Sequence, residues 1–321
     1  MEPSPRRRQF RETFIGCLRD RERQVNPATA AVGDDRFEEL DGILVPRDGP
    51  VGHQAEDYDP RHFELLLRMQ RKHFWYLGRH RFVRAAVEKS LRSAAVAPSA
   101  LAAIDMGGGC GGWVNFLCEE GPSFRELALA DSSLDALRLA HSVVPGCVRC
   151  YNVSLYDLHW SNRWDVVFLL DVLEHLRDDA EALRQIARAL KPGGVVVVTV
   201  PAMKIFWSYN DDVAGHRRRY SCADLAQLGE RAGLEVLDTR YFMFLLSPIL
   251  WASRRLATGP TVQTQEELRR IAERAHRIPS PPLNSLLAAL FGAETPTGLH
   301  LRFPWGTSAL ALFRRPLSAS T

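Results

Sequence analysis

Between residues 101 and 200, short apolar runs alternate with stretches in which apolar residues recur every three to four positions. The apolar runs predict strands, and the helical periodicity predicts helices. The strands are predicted at 101–104, 126–130, 148–152, 164–170 and 195–200, and the helices at 112–120, 133–142 and 179–190. Because several runs are almost continuously apolar, the strands are expected to be buried on both faces. The pattern predicts an α/β fold with a doubly wound, mostly parallel sheet.

Helical patterns flank this core on both sides. The chain is divided into an N-terminal arm or lid at 1–60, a helical lead-in at 61–95, a core domain at 96–240, and a helical C-terminal addition with a final strand at 241–321. In the last part, helices are predicted at 241–251 and 283–291 and the strand at 308–313. These helices are expected either to cap the site or to form the contact of a homo-oligomer.

The composition narrows the class of protein. Hydrophobic residues make up 46% of the 321, and the formal net charge is +3, so a large core is expected and no basic surface for nucleic acid. The six cysteines have neither the spacing of a disulfide framework nor that of a zinc site, which predicts a cytoplasmic protein without a metal. The longest apolar run, at 241–251, contains Ser247 and Pro248, so no integral membrane segment is predicted.

A glycine-rich segment follows the first predicted strand. Asp105 ends the apolar run, and Gly107, Gly109 and Gly111 follow, so that bare backbone in a tight turn can approach a ligand. Asp131 ends the next strand, at the distance from the glycines where an acidic residue accepts hydrogen bonds from ribose hydroxyls. The spacings predict a nucleoside ligand. NAD, and with it an oxidoreductase, is the alternative, although its G-x-G-x-x-G fingerprint differs from the strict alternation here.

A third polar cluster, Asp171, Glu174 and His175, follows the fourth strand. Ligands of doubly wound sheets bind beyond the carboxyl ends of the strands, so the three clusters are expected to converge on one crevice. Each acidic residue at a strand end also has a structural interpretation, because Asp131 and Asp171 are both placed to cap the helices that follow.

In their order and spacing, these motifs resemble the class I S-adenosylmethionine-dependent methyltransferases. The resemblance covers about residues 100–200 and includes the Lys-Pro-Gly-Gly turn at 191–194, with looser similarity at 73–79, 215–220 and 303–308. It implies a Rossmann-like methyltransferase fold with S-adenosylmethionine as the cofactor. The residues that it assigns to the cofactor are Asp105, Gly107, Gly109, Gly111, Asp131, Ser132, Asp157, Asp171, Trp75 and Arg79.

The resemblance implies a separate role for several of these residues. The glycines would let the methionine part and the ribose approach the backbone, and Asp105 would orient the amino group. Asp131 would hold the ribose diol, with Ser132 near the adenine. The adenine amino group is expected at the loop after the third strand, where the candidates are Asn152, Ser154 and Asp157.

Methyl transfer from a sulfonium requires alignment, exclusion of water and, for some acceptors, a base. Glu174 and His175 are the candidate bases. A hydroxyl or amine acceptor would favour His175, because imidazole titrates near neutral pH. A carbon acceptor would favour a carboxylate such as Glu174. A non-catalytic relative that binds the cofactor to regulate a partner is a further alternative, but its motifs would be expected to have eroded.

The segment 206–220 predicts the acceptor pocket. Aromatic faces can line an apolar pocket, and a group of His and Arg can hold a carboxylate or phosphate. The candidates are Phe206, Trp207, Tyr209, His216, Arg217, Arg218, Arg219 and Tyr220. They predict a small, hydrophobic acceptor of secondary metabolism with an anionic head, either an isoprenoid diphosphate with Mg²⁺ or a carboxylate. The structural alternative is a solvated arginine run beside core aromatic residues.

Overall fold

The computed structural model describes residues 34–52, 63–93, 96–256 and 277–317, and nine strands in these ranges form one mixed sheet. The strands are β1 Phe37–Leu40, β2 Ile43–Pro46, β3 Ala102–Met106, β4 Glu126–Asp131, β5 Arg149–Asn152, β6 Trp164–Leu170, β7 Leu190–Pro201, β8 Glu235–Phe242 and β9 Ser308–Arg314. The helices are α1 Phe63–Lys72, α2 Phe74–Ser93, α3 Gly112–Glu120, α4 Leu134–His141, α5 Asp179–Ala189, α6 Tyr209–Val213, α7 Cys222–Arg231, α8 Ser247–Leu256 and α9 Pro281–His300.

The strand order across the sheet is β1-β2-β5-β4-β3-β6-β7-β9-β8. From β2 to β7 neighbouring strands are parallel, whereas β9 is antiparallel to both β7 and β8. The chain runs outward from β3 through β4 to β5, then returns to the other side of β3 to form β6 and β7. The crevice for a ligand therefore lies where β3, β4 and β6 end, at the change of direction. The doubly wound, mostly parallel sheet predicted from the sequence is confirmed.

β3 lies at the centre of the sheet, and all five of its residues are buried. Ile104 and Met106 pack on the face that is covered by α5 and α7, while Ala103 packs on the face that is covered by α2, α3 and α9. Side chains alternate between the faces of a strand, so Asp105 points to the same side as Ala103, toward α2. The position of this buried acid follows from the register of the strand.

α2 packs closely against α9 at a glycine. A Cβ at Gly78 would lie only 2.0 Å from the ring of Phe291, which is fully buried. Because Gly78 has no side chain, the ring of Phe291 packs directly against the backbone of α2, and the first turns of α2 extend over the crevice. In the described ranges, no helix is long and apolar enough to cross a membrane.

The sequence interpretation missed a hairpin inside the segment assigned to an arm or lid. β1 and β2 are joined by Asp41 and Gly42, both with positive φ, as two-residue hairpins of type I′ require. Phe37, Ile43 and Val45 are buried, and β2 adds to the sheet edge beside β5. Residues 1–33 and 53–60 of the predicted arm lie outside the described residues.

The helix predicted at 241–251 is also corrected. β8 continues to Phe242, which pairs with Ser308 of β9, and the helix begins only at Ser247. The strand escaped prediction because Glu235, Asp238 and Arg240 interrupt its apolar positions, as is common at the edge of a sheet. The final strand predicted at 308–313 is found at 308–314.

Candidate active site

A cavity of about 610 Å³ opens at the carboxyl ends of β3, β4, β6 and β7. At one end its lining comes from the glycine turn and the end of β4, and at the other from the segment after β6 and the loop after α6. The first two turns of α2 lie over both ends, with Trp75 and Arg79 in the lining. Three polar clusters predicted to converge from separate strand ends thus share one cavity.

The glycine turn lines the cavity at Gly107, Gly108 and Gly109, but it leaves space for a side chain at only one of the three. Gly107, Gly109 and Gly111 all have positive φ, but only at Gly109 would a Cβ point into open space, with no atom closer than 3.9 Å. A Cβ at Gly111 would lie 2.8 Å from Val144, and Gly111 lies outside the lining, where it precedes α3. Gly111, predicted as a cofactor residue, therefore packs against Val144 and does not line the cavity in this structure. Gly108 lines the cavity instead, although the alternating pattern did not single it out.

Asp105 is a buried acid without a partner among the described residues. It is 1% exposed, lines the cavity, and neither carboxylate oxygen has a hydrogen bond. Its pKa is raised to about 8, chiefly by burial; the positive charge of Arg79 opposes the shift, and the negative charge of Asp131 adds to it. An unsatisfied carboxylate in a cavity is costly unless a ligand supplies a donor or a positive charge. The amino group of a methionine moiety fits that requirement.

The end of β4 positions the residue predicted to hold a ribose. Asp131 lines the cavity and accepts hydrogen bonds from the backbone N–H of Gly109 and of Ser133, at 2.8 and 2.9 Å. These bonds fix the orientation of its carboxylate relative to the glycine turn. A carboxylate has about four acceptor sites, so capacity for ribose hydroxyls remains. Ser132 also lines the cavity.

The loop after β5 brings one of the three adenine candidates to the cavity. Ser154 lines it, together with Leu155 and Tyr156. Asn152 is fully buried and lies outside the lining; its amide group bonds to the carbonyls of Asp131 and Ser132 and accepts the N–H of Val51. Asp157, the residue assigned to the cofactor from the sequence, is 67% exposed outside the lining and pairs with His159. The assignment of Asp157 is therefore not supported by its position.

α2 delivers a buried arginine to the carboxyl end of β6. Arg79 forms an ion pair with Asp171, which has a left-handed backbone with φ of 58°. The guanidinium lies over the rings of Trp75 and Tyr76, 5.1 and 5.3 Å from their centroids. Its Nε is buried without a hydrogen-bond partner among the described residues. This charge lies between the cofactor end of the cavity and the segment that carries the candidate bases.

Both candidate bases line the cavity and meet a third residue there. Glu174 is fully buried, and neither of its oxygens has a hydrogen-bond partner among the described residues. The ring of His175 contacts the ring of His216 edge-on, with centroids 4.9 Å apart, and His216 Nε2 lies 4.0 Å from Glu174 Oε1. We call Glu174, His175 and His216 the polar corner. His216 comes to it from beyond α6, although it is about forty residues away in the sequence.

Burial controls the protonation of the polar corner. It raises the pKa of Glu174 well above the ordinary value, and the charge of Asp171 acts in the same direction. For His175, burial and the neighbouring His216 and Arg217 lower the pKa to about 3. His175 is thus a neutral imidazole at physiological pH and a weak base. Glu174, once ionised in this environment, is the stronger proton acceptor.

A buried ionic network holds His216. Asp211, on α6, is 1% exposed; its Oδ1 lies 2.9 Å from His216 Nδ1 and accepts a bond from Arg219 Nε at 2.7 Å. Burial alone would raise the pKa of Asp211, but the hydrogen bonds from His216 and Arg219 outweigh it and lower the pKa to about 2. Asp211 is therefore ionised and fixes the His216 ring with Nε2 toward Glu174. Sequence reasoning missed Asp211, whose signal was the acidic residue five positions before the histidine.

Half of the acceptor residues predicted at 206–220 lie in the cavity wall: Tyr209, His216, Arg217 and Arg219. Phe206, Trp207, Arg218 and Tyr220 lie outside it. Phe206 is a core residue, and Trp207 turns away to donate its indole N–H to Asp212. Arg218 binds Asp179 and two carbonyls, and the Tyr220 hydroxyl donates to the same carboxylate or to the Leu173 carbonyl.

These positions change the interpretation of the acceptor pocket. Arg219 lines the cavity, but its guanidinium is bonded to Asp211 and to the carbonyl of Ala202. Arg217 also lines the cavity, and its Nε donates to the carbonyl of His175. The anionic head group predicted from the sequence stays a prediction. The apolar wall comes instead from segments not assigned to the acceptor, and it includes Phe63, Phe74, Met243 and Leu250.

Known proteins similar to this chain are methyltransferases. A methyltransferase-domain family model matches residues 77–239, just over half of the chain. A probable S-adenosylmethionine-dependent methyltransferase of Mycolicibacterium smegmatis is 40% identical over 77 residues, which are 23% of this chain and 30% of the relative. A ubiquinone biosynthesis O-methyltransferase of Aeromonas salmonicida is 27% identical over 148 residues, 40% of this chain and 62% of the relative. The matches thus span less than two thirds of either relative.

Among solved structures, an S-adenosylmethionine-dependent methyltransferase from Mesorhizobium loti superposes with a TM-score of 0.44 at 17% identity, over 72% of this chain and 98% of that one. The matched family model includes the glycine turn, the end of β4 and the segment after β6. The protein belongs to the class I S-adenosylmethionine-dependent methyltransferases. This assignment replaces the alternative of an NAD-dependent oxidoreductase.

Proposed function

We propose that the protein transfers a methyl group from S-adenosylmethionine to a hydroxyl oxygen of a small, largely apolar molecule. The observation that carries the proposal is the cavity itself, which joins an unsatisfied acid and a glycine turn at one end to an unsatisfied carboxylate at the other. The first pair suits a cofactor, and Glu174 suits an acceptor that must lose a proton.

The residues of the cofactor end fit S-adenosylmethionine. Asp105 would accept a hydrogen bond from the ammonium group of the methionine moiety. Arg79 brings positive charge to the same region, where it would attract the carboxylate of that moiety. The backbone at Gly109 leaves the space that a Cβ would fill, and Asp131 is oriented to accept bonds from ribose hydroxyls. When bound there, the cofactor supplies a methyl group activated by its sulfonium.

The chain contributes positioning and proton removal. The apolar wall and the first turn of α2 would exclude water and hold the acceptor oxygen in line with the methyl carbon. As the oxygen–carbon bond forms and the carbon–sulfur bond breaks, the hydroxyl proton passes to the Glu174 carboxylate and from there to solvent. Among the two bases predicted from the sequence, Glu174 is favoured, because the lowered pKa of His175 makes its imidazole a poor proton acceptor.

The wall of the cavity supports an acceptor that is apolar apart from the reacting hydroxyl. Trp75, Tyr76 and Tyr209 offer aromatic faces, and Met243 adds a flexible apolar surface. The relatives named ubiquinone biosynthesis O-methyltransferases support oxygen as the acceptor atom. A diphosphate with Mg²⁺ is not part of the proposed acceptor, because Arg218 binds Asp179 outside the cavity, Arg219 is bonded to Asp211, and Arg217 Nε donates to the His175 carbonyl.

Labelled-methyl transfer to a panel of phenols, aliphatic alcohols, amines and alkenes tests this proposal. We expect methyl ethers from one or more of the hydroxyl compounds and calorimetric binding of S-adenosylhomocysteine. Glu174→Gln should lower turnover by about 10²–10⁴-fold without changing that binding, whereas Glu119→Gln, at an exposed position on α3, should retain full turnover. Methylated amines or alkenes with no ether, or full turnover by Glu174→Gln, would contradict the proposal.

A further inference from the structure

We propose that Glu174, His175 and His216 bind a divalent transition-metal ion of the zinc type in the polar corner. One ligand atom from each side chain lies within 4.8 Å of the other two. Ligand atoms that share a zinc ion are about 3–3.5 Å apart, since each lies about 2 Å from the metal. Side-chain adjustments of about 1 Å would therefore bring the three atoms to bonding distance of one ion.

The uncompensated carboxylate of Glu174 is an independent sign of a missing cation. It is fully buried, it faces the cavity, and both oxygens are unpartnered among the described residues. The positive charges that influence it, Arg79 and Arg219, are each already paired with another carboxylate. A buried carboxylate left in this condition is costly, and a cation within bonding distance would remove the cost.

His216 is arranged as metal-binding histidines commonly are. Its Nδ1 lies 2.9 Å from Asp211 Oδ1, so Nδ1–H donates to the carboxylate and the lone pair remains on Nε2, directed toward Glu174. A carboxylate behind a histidine fixes the tautomer and the direction of the ring in many metal sites. Asp211 is in turn held by Arg219 and by the backbone N–H of Ser208, which makes the arrangement rigid.

The set of donors selects the kind of metal. Two imidazoles and one carboxylate suit zinc, and also iron, cobalt and manganese, whereas magnesium prefers oxygen donors. Three protein ligands leave a coordination position open, and all three residues line the cavity. The sequence predicts no metal because His216 lies far along the chain from Glu174 and His175, outside any spacing typical of a zinc motif.

The role of the ion, unlike its binding, rests on the proposed function. An acceptor hydroxyl that occupies the open position would lose its proton more readily, because the metal stabilises the oxygen anion. Oε1 of Glu174 is the oxygen that lies 4.0 Å from His216 Nε2. With Oε1 on the metal, Oε2 remains to accept the proton that leaves the acceptor.

Zinc titration of the chelator-treated full-length protein, with S-adenosylhomocysteine present, tests the site by calorimetry. We expect one ion per chain, and at least about 10–100-fold weaker binding by both Glu174→Gln and His216→Ala. His300→Ala, which removes an exposed histidine at the end of α9, should bind zinc as the wild type does. Unchanged affinity for S-adenosylhomocysteine would show that the corner variants are folded.

Cobalt as a spectroscopic probe reports on the ligands directly. We expect the visible bands of a low-coordinate cobalt site with nitrogen ligands in the wild type and their loss in His216→Ala. The site is overturned if wild type binds zinc no more tightly than the Glu174→Gln/His216→Ala double variant, or if cobalt shows only the spectrum of the free aqueous ion.

The two proposals fail in different ways. Zinc binding without any ether product leaves the metal site standing and contradicts the hydroxyl acceptor. Hydroxyl methylation at an undiminished rate in the chelator-treated protein, with no zinc binding, supports the hydroxyl acceptor and contradicts the metal site. Nitrocatechol, whose absorption changes when it ionises, tests the role: its anion should form at lower pH on the zinc-loaded protein than on Glu174→Gln with zinc added.

Discussion

The two ends of the cavity are built by different means. At the cofactor end, Gly107 to Gly109 and the end of β4 present backbone groups, and the buried acid Asp105 has no hydrogen-bond partner within the described part of the chain. At the acceptor end, an ionic network of Asp211, His216 and Arg219 surrounds the polar corner. Backbone at strand ends is a direct consequence of the fold, whereas the network depends on side chains that come together from separate loops.

The buried acids of the two ends show what decides their charge. Asp105 and Asp211 are equally buried, at 1% exposure each. Without a hydrogen bond the pKa of Asp105 rises to about 8, whereas bonds from His216 and Arg219 lower that of Asp211 to about 2. Burial therefore leaves a carboxyl group neutral or ionised according to its partners. The unpartnered acids, Asp105 and Glu174, are the ones that a ligand can affect most.

The largest effect is expected from breaking the ionic network. Arg219→Ala should lower the free energy of unfolding by about 3–5 kcal/mol, because it leaves the buried Asp211 without its guanidinium partner. Urea unfolding at pH 7 measures the change. Arg302→Ala removes an arginine that is 73% exposed and should cost less than about 1 kcal/mol. A similarly small loss for Arg219→Ala would show that the acceptor end does not depend on its ionic network for stability.

An opposite change is expected at the cofactor end from Asp105→Asn. The pKa of Asp105 is about 8 in the folded chain and about 3.9 in the unfolded one. The acid therefore favours folding at low pH, and this contribution is lost as the pH rises toward 8. Without cofactor, the free energy of unfolding of Asp105→Asn should rise relative to that of the wild type as the pH increases. The gain should be about 1.4 kcal/mol per pH unit, or about 3 kcal/mol from pH 5 to 7.

Unfolding free energies at several pH values, measured without cofactor, give this difference. Binding of S-adenosylhomocysteine to Asp105→Asn should be weaker at every pH, because the ammonium loses its carboxylate partner. Parallel stability profiles for wild type and variant would mean that Asp105 is already ionised in the folded chain, contrary to its lack of partners.

A smaller effect is expected from Gly109→Ala. This variant tests whether the glycine is needed for cofactor binding or only for the conformation of the turn. The added Cβ would enter open cavity space, so affinity for S-adenosylhomocysteine should fall by about 10–100-fold. Gly233→Ala is the matched control, because Gly233 also has positive φ and open surroundings but lies between α7 and β8. Both variants should lose about 1–2 kcal/mol of stability, and only Gly109→Ala should lose affinity. Equal affinities would make the turn structural.

The difference between the ends also explains what the sequence could predict. The strands, the change of direction at β3 and the residues at strand ends follow from apolar patterns and from motifs read within a few residues. The bonding of Arg219, the turn of Trp207 away from the cavity and the contact of His216 with Glu174 depend on loop conformation. The bonds of Trp207 and Arg219 lie within one loop region, but they form only in the conformation that this region adopts. The contact of His216 with Glu174 joins segments about forty residues apart, which no local pattern encodes.

The hairpin of β1 and β2 is a different kind of omission. Asp41-Gly42 is a strong local signal for a two-residue turn, and directly after it the buried Ile43 and Val45 flank the less buried Leu44. Each strand has only four residues, and charged residues surround them, so the apolar pattern typical of a strand is short and weak. This element was predictable, whereas the polar corner was not.

The smallest effect is expected at the loop after β5, where the sequence assigned Asp157 to the cofactor. Asp157→Ala should change affinity for S-adenosylhomocysteine by less than about twofold, because the side chain is 67% exposed outside the cavity and an exposed pair with His159 contributes little. Asp131→Ala, which removes the carboxylate fixed at the glycine turn, should weaken the same binding by about tenfold or more. If Asp157→Ala were the more damaging, the loop would have to close over the adenine when the cofactor binds. The cofactor end would then also depend on loop conformation, as the acceptor end does.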